Sequence, residues 1–209
     1  MAKTFRAPTQ AEPLFFHTTA QKNIPVGSFN SKRLKSKKPI CSKCNNETTQ
    51  PFDLSWAKLS KALQDRLSSS PKLDYVRANR IFKYDTRRRL LNVHLFWVKS
   101  FGCFINDEEI QIDLKPFSEA ILKKRHHPEI YLNFFRNSQA EKMLFAGRSD
   151  MEVIKNVKDE ILGAKVSFQI GQLEILLSYL KGGLKDDALK NPWHPRLGTS
   201  KLYFQNGSE

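Results

Sequence analysis

Hydrophobic positions along the chain predict three helices separated by polar turns. The first covers residues 54–67, where apolar side chains lie loosely on one side and Asp53 can cap the N-terminus. The second covers residues 87–105 and is apolar on most faces around its middle. A helix that is apolar all round belongs in the centre of a domain, so we expect it to pack against a sheet. The third covers residues 116–124.

Other segments have the composition or partial alternation typical of strands. Residues 75–84 predict a short strand or extended segment, and residues 1–38 predict loop with at most one short strand. The remaining strand candidates are residues 109–114, 129–135, 165–170, 172–180 and 201–205. Together these elements predict an α+β fold with a mostly antiparallel sheet around the apolar helix.

A Ser/Pro-rich break at residues 68–71 is the best candidate domain boundary in the chain. It divides a basic N-terminal unit, residues 1–70, from a second α+β domain, residues 71–209. The hydrophobic fraction of 40% and the 15 Phe residues argue against general disorder. Neither a long apolar run nor a signal-peptide pattern is present, so we expect a soluble intracellular protein without a membrane partner, cytoplasmic if bacterial.

Positive charge is concentrated near the N-terminus. The chain carries a net charge of +14, and residues 1–50 hold nine Lys and Arg against two Glu. Such a run gains affinity for a phosphate backbone by releasing counterions, so it favours nucleic acid as the partner. A solvated basic arm or a nuclear localisation signal is the alternative interpretation. The candidate nucleic-acid-binding residues are Lys32, Arg33, Lys35, Lys37, Lys38 and Lys43.

Within this basic segment, Cys41 and Cys44 have the C-x-x-C spacing that lets two thiolates on one turn bind a tetrahedral Zn²⁺. The pair supplies half of a site, and no further Cys or His has diagnostic spacing. A redox role for the pair needs a helix after a strand in a βαβ pattern, which the sequence lacks.

The segment Cys41-Ser-Lys-Cys44-Asn45-Asn46, followed by a turn and a helix, resembles the second zinc knuckle of the HNH (His-Me finger) endonucleases. The resemblance covers residues 14–67 and implies a small ββα-like unit with structural Zn²⁺. It also implies His17 as the general base, Asn45 as the residue that orients the active-site loop, and Mg²⁺ or another divalent cation at the scissile phosphate. A base near neutral pH beside a Lewis-acidic metal is sound chemistry for phosphodiester hydrolysis.

The chain departs from the HNH pattern at three points. Phe16 stands where an acidic residue or His usually precedes the base, the first C-x-x-C is absent, and Gln50 or Asp53 replaces the last His. The sequence therefore predicts a nucleic-acid-binding protein related to HNH endonucleases, with DNA preferred to RNA, that extends to a metal-dependent phosphodiesterase if the site is complete. The alternatives are a non-catalytic, zinc-stabilised DNA- or RNA-binding protein and a protein-interaction module.

Several other residues that carry reactive groups have a simpler structural interpretation. His94 and Cys103 lie in the apolar helix and are expected to be packed. His126 and His127 follow three basic residues and precede a proline, which predicts a solvated helix terminus. Residues 107–109 predict a polar turn. The aromatic segments 193–196 and 202–204 resemble base-stacking surfaces, but core packing is the favoured prediction for both.

Overall fold

The computed structural model describes residues 14–16, 24–26, 41, 43–70, 73–137, 146–184 and 189–206. Within these ranges the fold is α+β, as the sequence predicts. The α-helices are α1 (Gln50–Ser69), α2 (Thr86–Asp107) and α3 (Lys115–Leu122). The strands are β1 (Leu14–Phe16), β2 (Ile24–Val26), β3 (Tyr75–Arg77), β4 (Ile130–Arg136), β5 (Ala146–Arg148), β6 (Glu152–Lys155), β7 (Ile161–Ile170), β8 (Leu173–Leu180) and β9 (Lys201–Asn206).

Seven of the described strands form one mixed sheet. Their order is β3-β9-β4-β8-β7-β5, and β6 also pairs with β7. All neighbours are antiparallel except β4 and β9, which run parallel. Strands β1 and β2 form a separate antiparallel pair, where the sequence predicted at most one strand. A mostly antiparallel sheet is therefore confirmed.

Helix α2 occupies the centre of the core, as its apolar middle predicts. Val93, Val98 and Phe101 are fully buried. The Trp97 ring contacts the ring of Phe168 on β7 at a centroid distance of 4.9 Å, so α2 packs on the sheet. Side chains of α1 enter the same hydrophobic core as those of α2 and the sheet.

Helix α1 begins at Gln50, four residues earlier than the sequence predicts. Thr49, and not Asp53, is the residue that precedes the helix. Pro51 is compatible with this start because the first turn of a helix needs no backbone N–H donors. Asp53 therefore lies in the first turn, where a carboxylate is favoured by the helix dipole. Its Oδ1 atom lies 2.6 Å from Lys99 Nζ of α2.

Two strand predictions differ from the structure. Residues 109–114 form no strand: Glu109 has a positive φ of 54°, and Ile110 and Ile112 pack against the core from an irregular loop. This loop partly buries alternate residues, so its apolar and polar residues alternate as they do in a strand. Residues 75–84 form only the three-residue strand β3, which a 3₁₀ turn over Ala78–Arg80 ends. No described helix has both the length and the apolar character needed to cross a membrane.

Candidate nucleic-acid interface

The edge of the sheet presents two tyrosines side by side on its outer face. Strands β3 and β9 pair so that Tyr75 lies opposite Tyr203 and Arg77 lies opposite Lys201. Successive side chains of a strand point to opposite faces, so these four residues share one face. Val76 and Leu202, between them in sequence, are buried on the other face. The four residues Tyr75, Arg77, Lys201 and Tyr203 are called the tyrosine surface below.

Both tyrosine rings are open to solvent. Tyr75 is 38% exposed and Tyr203 is 40% exposed, and their ring centroids are 5.9 Å apart at an interplanar angle of 48°. Arg77 Cζ lies 5.9 Å and Lys201 Nζ lies 5.1 Å from the centroid of the Tyr75 ring. Cations at this distance are attracted by the ring quadrupole. The arrangement places two aromatic faces and two positive charges in one patch.

Arg77 and Lys201 are like charges on directly opposed positions of an antiparallel pair. Such pairs destabilise a sheet unless an opposite charge intervenes. No carboxylate in the described part of the chain forms an ion pair with either residue. The patch is therefore electrostatically suited to an anion such as a phosphate group.

The tyrosine surface is bordered by the loop that precedes β9. The Lys190 carbonyl accepts hydrogen bonds from Gln205 Nε2 and Asn133 Nδ2, each at 2.6 Å. Gln205 lies on the same face of β9 as Tyr203 and Lys201, because alternate residues of a strand share a face. The side chain of Lys190 is exposed, and its backbone is hydrogen-bonded to this face of β9 at Gln205.

The chain that leads into α2 is also basic. Residues 73–89 contain six Lys and Arg against two Asp. One of these carboxylates, Asp85, pairs with Arg88 at 2.7 Å. Tyr84 is 86% exposed in the same segment. The sequence shows this second basic segment, but the sequence alone led to no functional prediction for it.

The predicted basic run is only partly described. Lys43 is exposed beside the cysteine pair. The other predicted phosphate-binding residues and the predicted general base lie outside the described residues. They are Lys32, Arg33, Lys35, Lys37, Lys38 and His17.

Cys41 and Cys44 lie on one tight turn that leads into α1. The Cys44 N–H donates to Cys41 Sγ at 3.2 Å, and the Asn45 N–H donates to the Cys41 carbonyl at 2.9 Å. The hydrogen bond from the Cys44 thiol lowers the pKa of Cys41 and raises the pKa of Cys44. A π-helical turn over Cys44–Thr48 connects the pair to α1. Among the described residues no group of three or more metal-ligating side chains occurs, so the predicted Zn²⁺ site stays a prediction.

Three histidines are brought together in the interior. His94, His127 and His194 are buried, so the prediction of a solvated terminus is wrong for His127. The His127 N–H donates to His94 Nε2 at 3.1 Å, and the Glu129 N–H donates to His127 Nδ1 at 3.2 Å. The Arg196 N–H donates to His194 Nδ1 at 3.0 Å.

These three backbone donors require neutral imidazoles, because a protonated ring nitrogen cannot accept a hydrogen bond. Burial lowers the pKa of His127 to about 4 and holds the pKa of His94 well below its usual range. Burial also lowers the pKa of His194. The cluster is therefore a neutral part of the core.

The burial of each residue confirms some of the remaining sequence predictions and contradicts one of them. His94 is packed in α2 and Trp193 and His194 are core residues, as predicted. Cys103 is partly buried within α2, and burial raises the pKa of its thiol. Tyr203 is exposed, so the prediction of core packing is wrong for this residue of the segment 202–204.

No family model matches the chain, and no curated protein or solved structure matches it either.

Proposed function

We propose that this protein binds nucleic acid at the tyrosine surface and prefers single strands. The observation that carries the proposal is the exposed pair of Tyr75 and Tyr203, with Arg77 and Lys201 directly beside it. Aromatic rings stack on bases, and stacking contributes about 1–3 kcal/mol per base in single-strand-binding proteins. The two cations supply attraction for the backbone.

The preference for single strands follows from the kind of contact. Bases inside a duplex already stack on their neighbours, so their faces are closed to a protein side chain. A tyrosine that binds through its ring face therefore needs unpaired bases. The predicted basic run, Lys32 to Lys38 with Lys43, adds charge for the same partner without adding sequence specificity.

Fluorescence anisotropy with labelled oligothymidine, and with a duplex of equal length, tests this proposal. The double substitution Tyr75→Ala and Tyr203→Ala should weaken single-strand binding at least tenfold and leave duplex binding nearly unchanged. Tyr84→Ala removes a more exposed tyrosine that is not part of the pair, so it is the matched control. Equal losses for both variants, or tighter binding of the duplex, would contradict the proposal.

A second candidate function is phosphodiester hydrolysis of the HNH type. The order of the described elements supports it: the β1–β2 pair comes first, then the Cys41–Cys44 turn, then α1. This is the order of the ββα unit that the resemblance implies. In this proposal Cys41 and Cys44 supply two ligands of a structural Zn²⁺, His17 is the base, and Asn45 orients the loop. A bound divalent cation such as Mg²⁺ would stabilise negative charge on the phosphate.

Two measurements separate hydrolysis from binding. Plasmid nicking with Mg²⁺ or Mn²⁺ should disappear in His17→Ala while anisotropy still detects binding. Zinc analysis of the purified chain should give a stoichiometric amount that Cys41→Ser with Cys44→Ser removes. Binding without nicking would restrict the function to nucleic-acid association.

A further inference from the structure

Beside the tyrosine surface lies a cleft of about 360 Å³ between the end of α1 and β3. Its volume is within the range of small-ligand pockets, about 300–1,000 Å³. Tyr75 and Arg77 belong to both the cleft and the tyrosine surface. The residues that line the cleft are Arg66, Leu73, Asp74, Tyr75, Arg77 and Arg80.

Three arginines and one aspartate are among the residues that line this cleft. Arg77 and Arg80 are exposed and Arg66 is half-buried. Within the described part of the chain none of the three forms an ion pair with a carboxylate. Arginines elsewhere in the described chain do form such pairs, for example Arg125 with Glu119. The described residues that line the cleft therefore carry an excess of positive charge.

We propose that the arginine cleft binds the phosphate group of a nucleotide whose base stacks on Tyr75. The planar guanidinium fork matches the oxygen geometry of phosphate, and charge-assisted bonds of this kind are about twice as strong as neutral ones. Arg77 Cζ lies 5.9 Å from the centroid of the Tyr75 ring, so a phosphate bound by Arg77 would lie close to a base stacked on Tyr75. The inference rests on the proposed function and deepens it, since it assigns the phosphate a position relative to the stacked base.

A titration with thymidine 5′-monophosphate, followed by the ¹H–¹⁵N signals of backbone amides and arginine side chains, tests the cleft directly. Residues 73–80 and the Nε–H groups of Arg66, Arg77 and Arg80 should shift, and thymidine without phosphate should bind at least tenfold more weakly. Arg66→Gln with Arg80→Gln should abolish this difference. Arg125→Gln removes a charge from the depression beside α3, and this control variant should keep the difference between nucleotide and nucleoside.

The source of the phosphate is decided by oligothymidines with and without a 5′-phosphate. A terminal site gives at least a tenfold preference for the phosphorylated strand, and the cleft double variant abolishes that preference. An internal site gives no preference, but the double variant lowers the magnitude of the salt slope by about 0.7 for each phosphate that the protein no longer neutralises.

Failure of the inference and failure of the proposed function give different results. Oligothymidine binding that depends on Tyr75 and Tyr203, together with equal binding of nucleotide and nucleoside, overturns the cleft alone. Equal effects of the cleft double variant and Arg125→Gln on nucleotide binding overturn it as well. Nucleotide binding that disappears in the cleft double variant, without any oligothymidine binding, supports the cleft and overturns single-strand binding.

Discussion

Lys99 of α2 reaches the first turn of α1, where its Nζ atom lies 2.6 Å from Asp53 Oδ1 and 3.2 Å from Thr49 Oγ1. The Lys99 side chain is 9% exposed and that of Asp53 is 40% exposed. The ammonium group is thus enclosed by the protein, while its partner keeps contact with water. The pair fixes the start of α1 against the central helix.

This asymmetry predicts different costs for removing each partner. Asp53→Asn leaves a buried cation without its counter-charge and should lower the free energy of unfolding by about 1–3 kcal/mol. Lys99→Met leaves only a partly exposed carboxylate and should cost less. The double variant should recover part of the Asp53→Asn loss, as measured by urea denaturation. Additive losses would show that the two groups do not interact.

The neutral histidine cluster predicts lower stability in mild acid. Unfolded histidines take up protons near pH 6.5, whereas folded His127 resists protonation until about pH 4. The unfolded state therefore binds more protons in this window, so the free energy of unfolding falls as the pH falls through it. His127 alone should contribute a loss of about 1–3 kcal/mol.

Urea denaturation at a series of pH values checks this prediction. His127→Leu should reduce the dependence on pH, even if it lowers stability at neutral pH. His126→Gln, at the partly exposed neighbour, is the control and should keep most of the dependence. Stability that is flat from about pH 7 to about pH 4 would show that the folded rings take up protons over the same pH range as the unfolded ones.

The position of Lys201 beside the tyrosine pair predicts a larger effect on affinity than on stability. Lys201→Gln removes the repulsion across β3 and β9 but also the attraction between Lys201 and the Tyr75 ring, so the free energy of unfolding should change by less than about 1 kcal/mol. The same change should weaken oligothymidine binding and reduce its salt dependence. Lys61 lies on the exposed face of α1, where it pairs with Asp65. The control variant Lys61→Gln should change neither the affinity for oligothymidine nor its salt dependence. Unchanged affinity in Lys201→Gln would remove this residue from the interface.

Two glycines should respond in opposite directions to alanine. A Cβ atom at Gly163 of β7 would lie 2.9 Å from the Tyr179 carbonyl oxygen of β8, so the paired backbones would have to move apart. Gly163→Ala should therefore destabilise the sheet by about 1–3 kcal/mol. At Gly102 of α2 the nearest atom, Phe117 Cδ1, would lie at an ordinary 3.6 Å. Gly102→Ala should stabilise the protein by about 0.5–1 kcal/mol, because alanine favours a helix. Thermal melts of both variants measure the difference.

The elements predicted best from the sequence are those whose burial requires a regular pattern of apolar residues. Helix α2 is buried around its middle, and the predicted residues 87–105 fall within Thr86–Asp107. Strands β4 and β8 also lie within a residue or two of their predicted bounds. The exposed strand β6 was missed because its side chains face solvent and carry little apolar pattern.

The candidate site was less predictable because it depends on pairing over long range. Nothing local to Tyr75 shows that it faces Tyr203, and three residues of β3 are too few to give a clear alternation. His127 was misassigned for a related reason. Its basic neighbours in sequence indicate solvent, but in the structure the ring packs at 4.3 Å from that of Phe117. The cysteine turn, in contrast, was visible because its two members are close in the chain.

Strand β9 lies between β3 and β4, so it connects the edge strand β3 to the rest of the sheet. More than half of the chain must be synthesised after Tyr75 before Tyr203 is available to pair with it. During translation, β3 can join the sheet only after β9 has emerged from the ribosome. The tyrosine surface is consequently a late product of folding, and a nascent chain that has made only its basic N-terminal segment cannot present it.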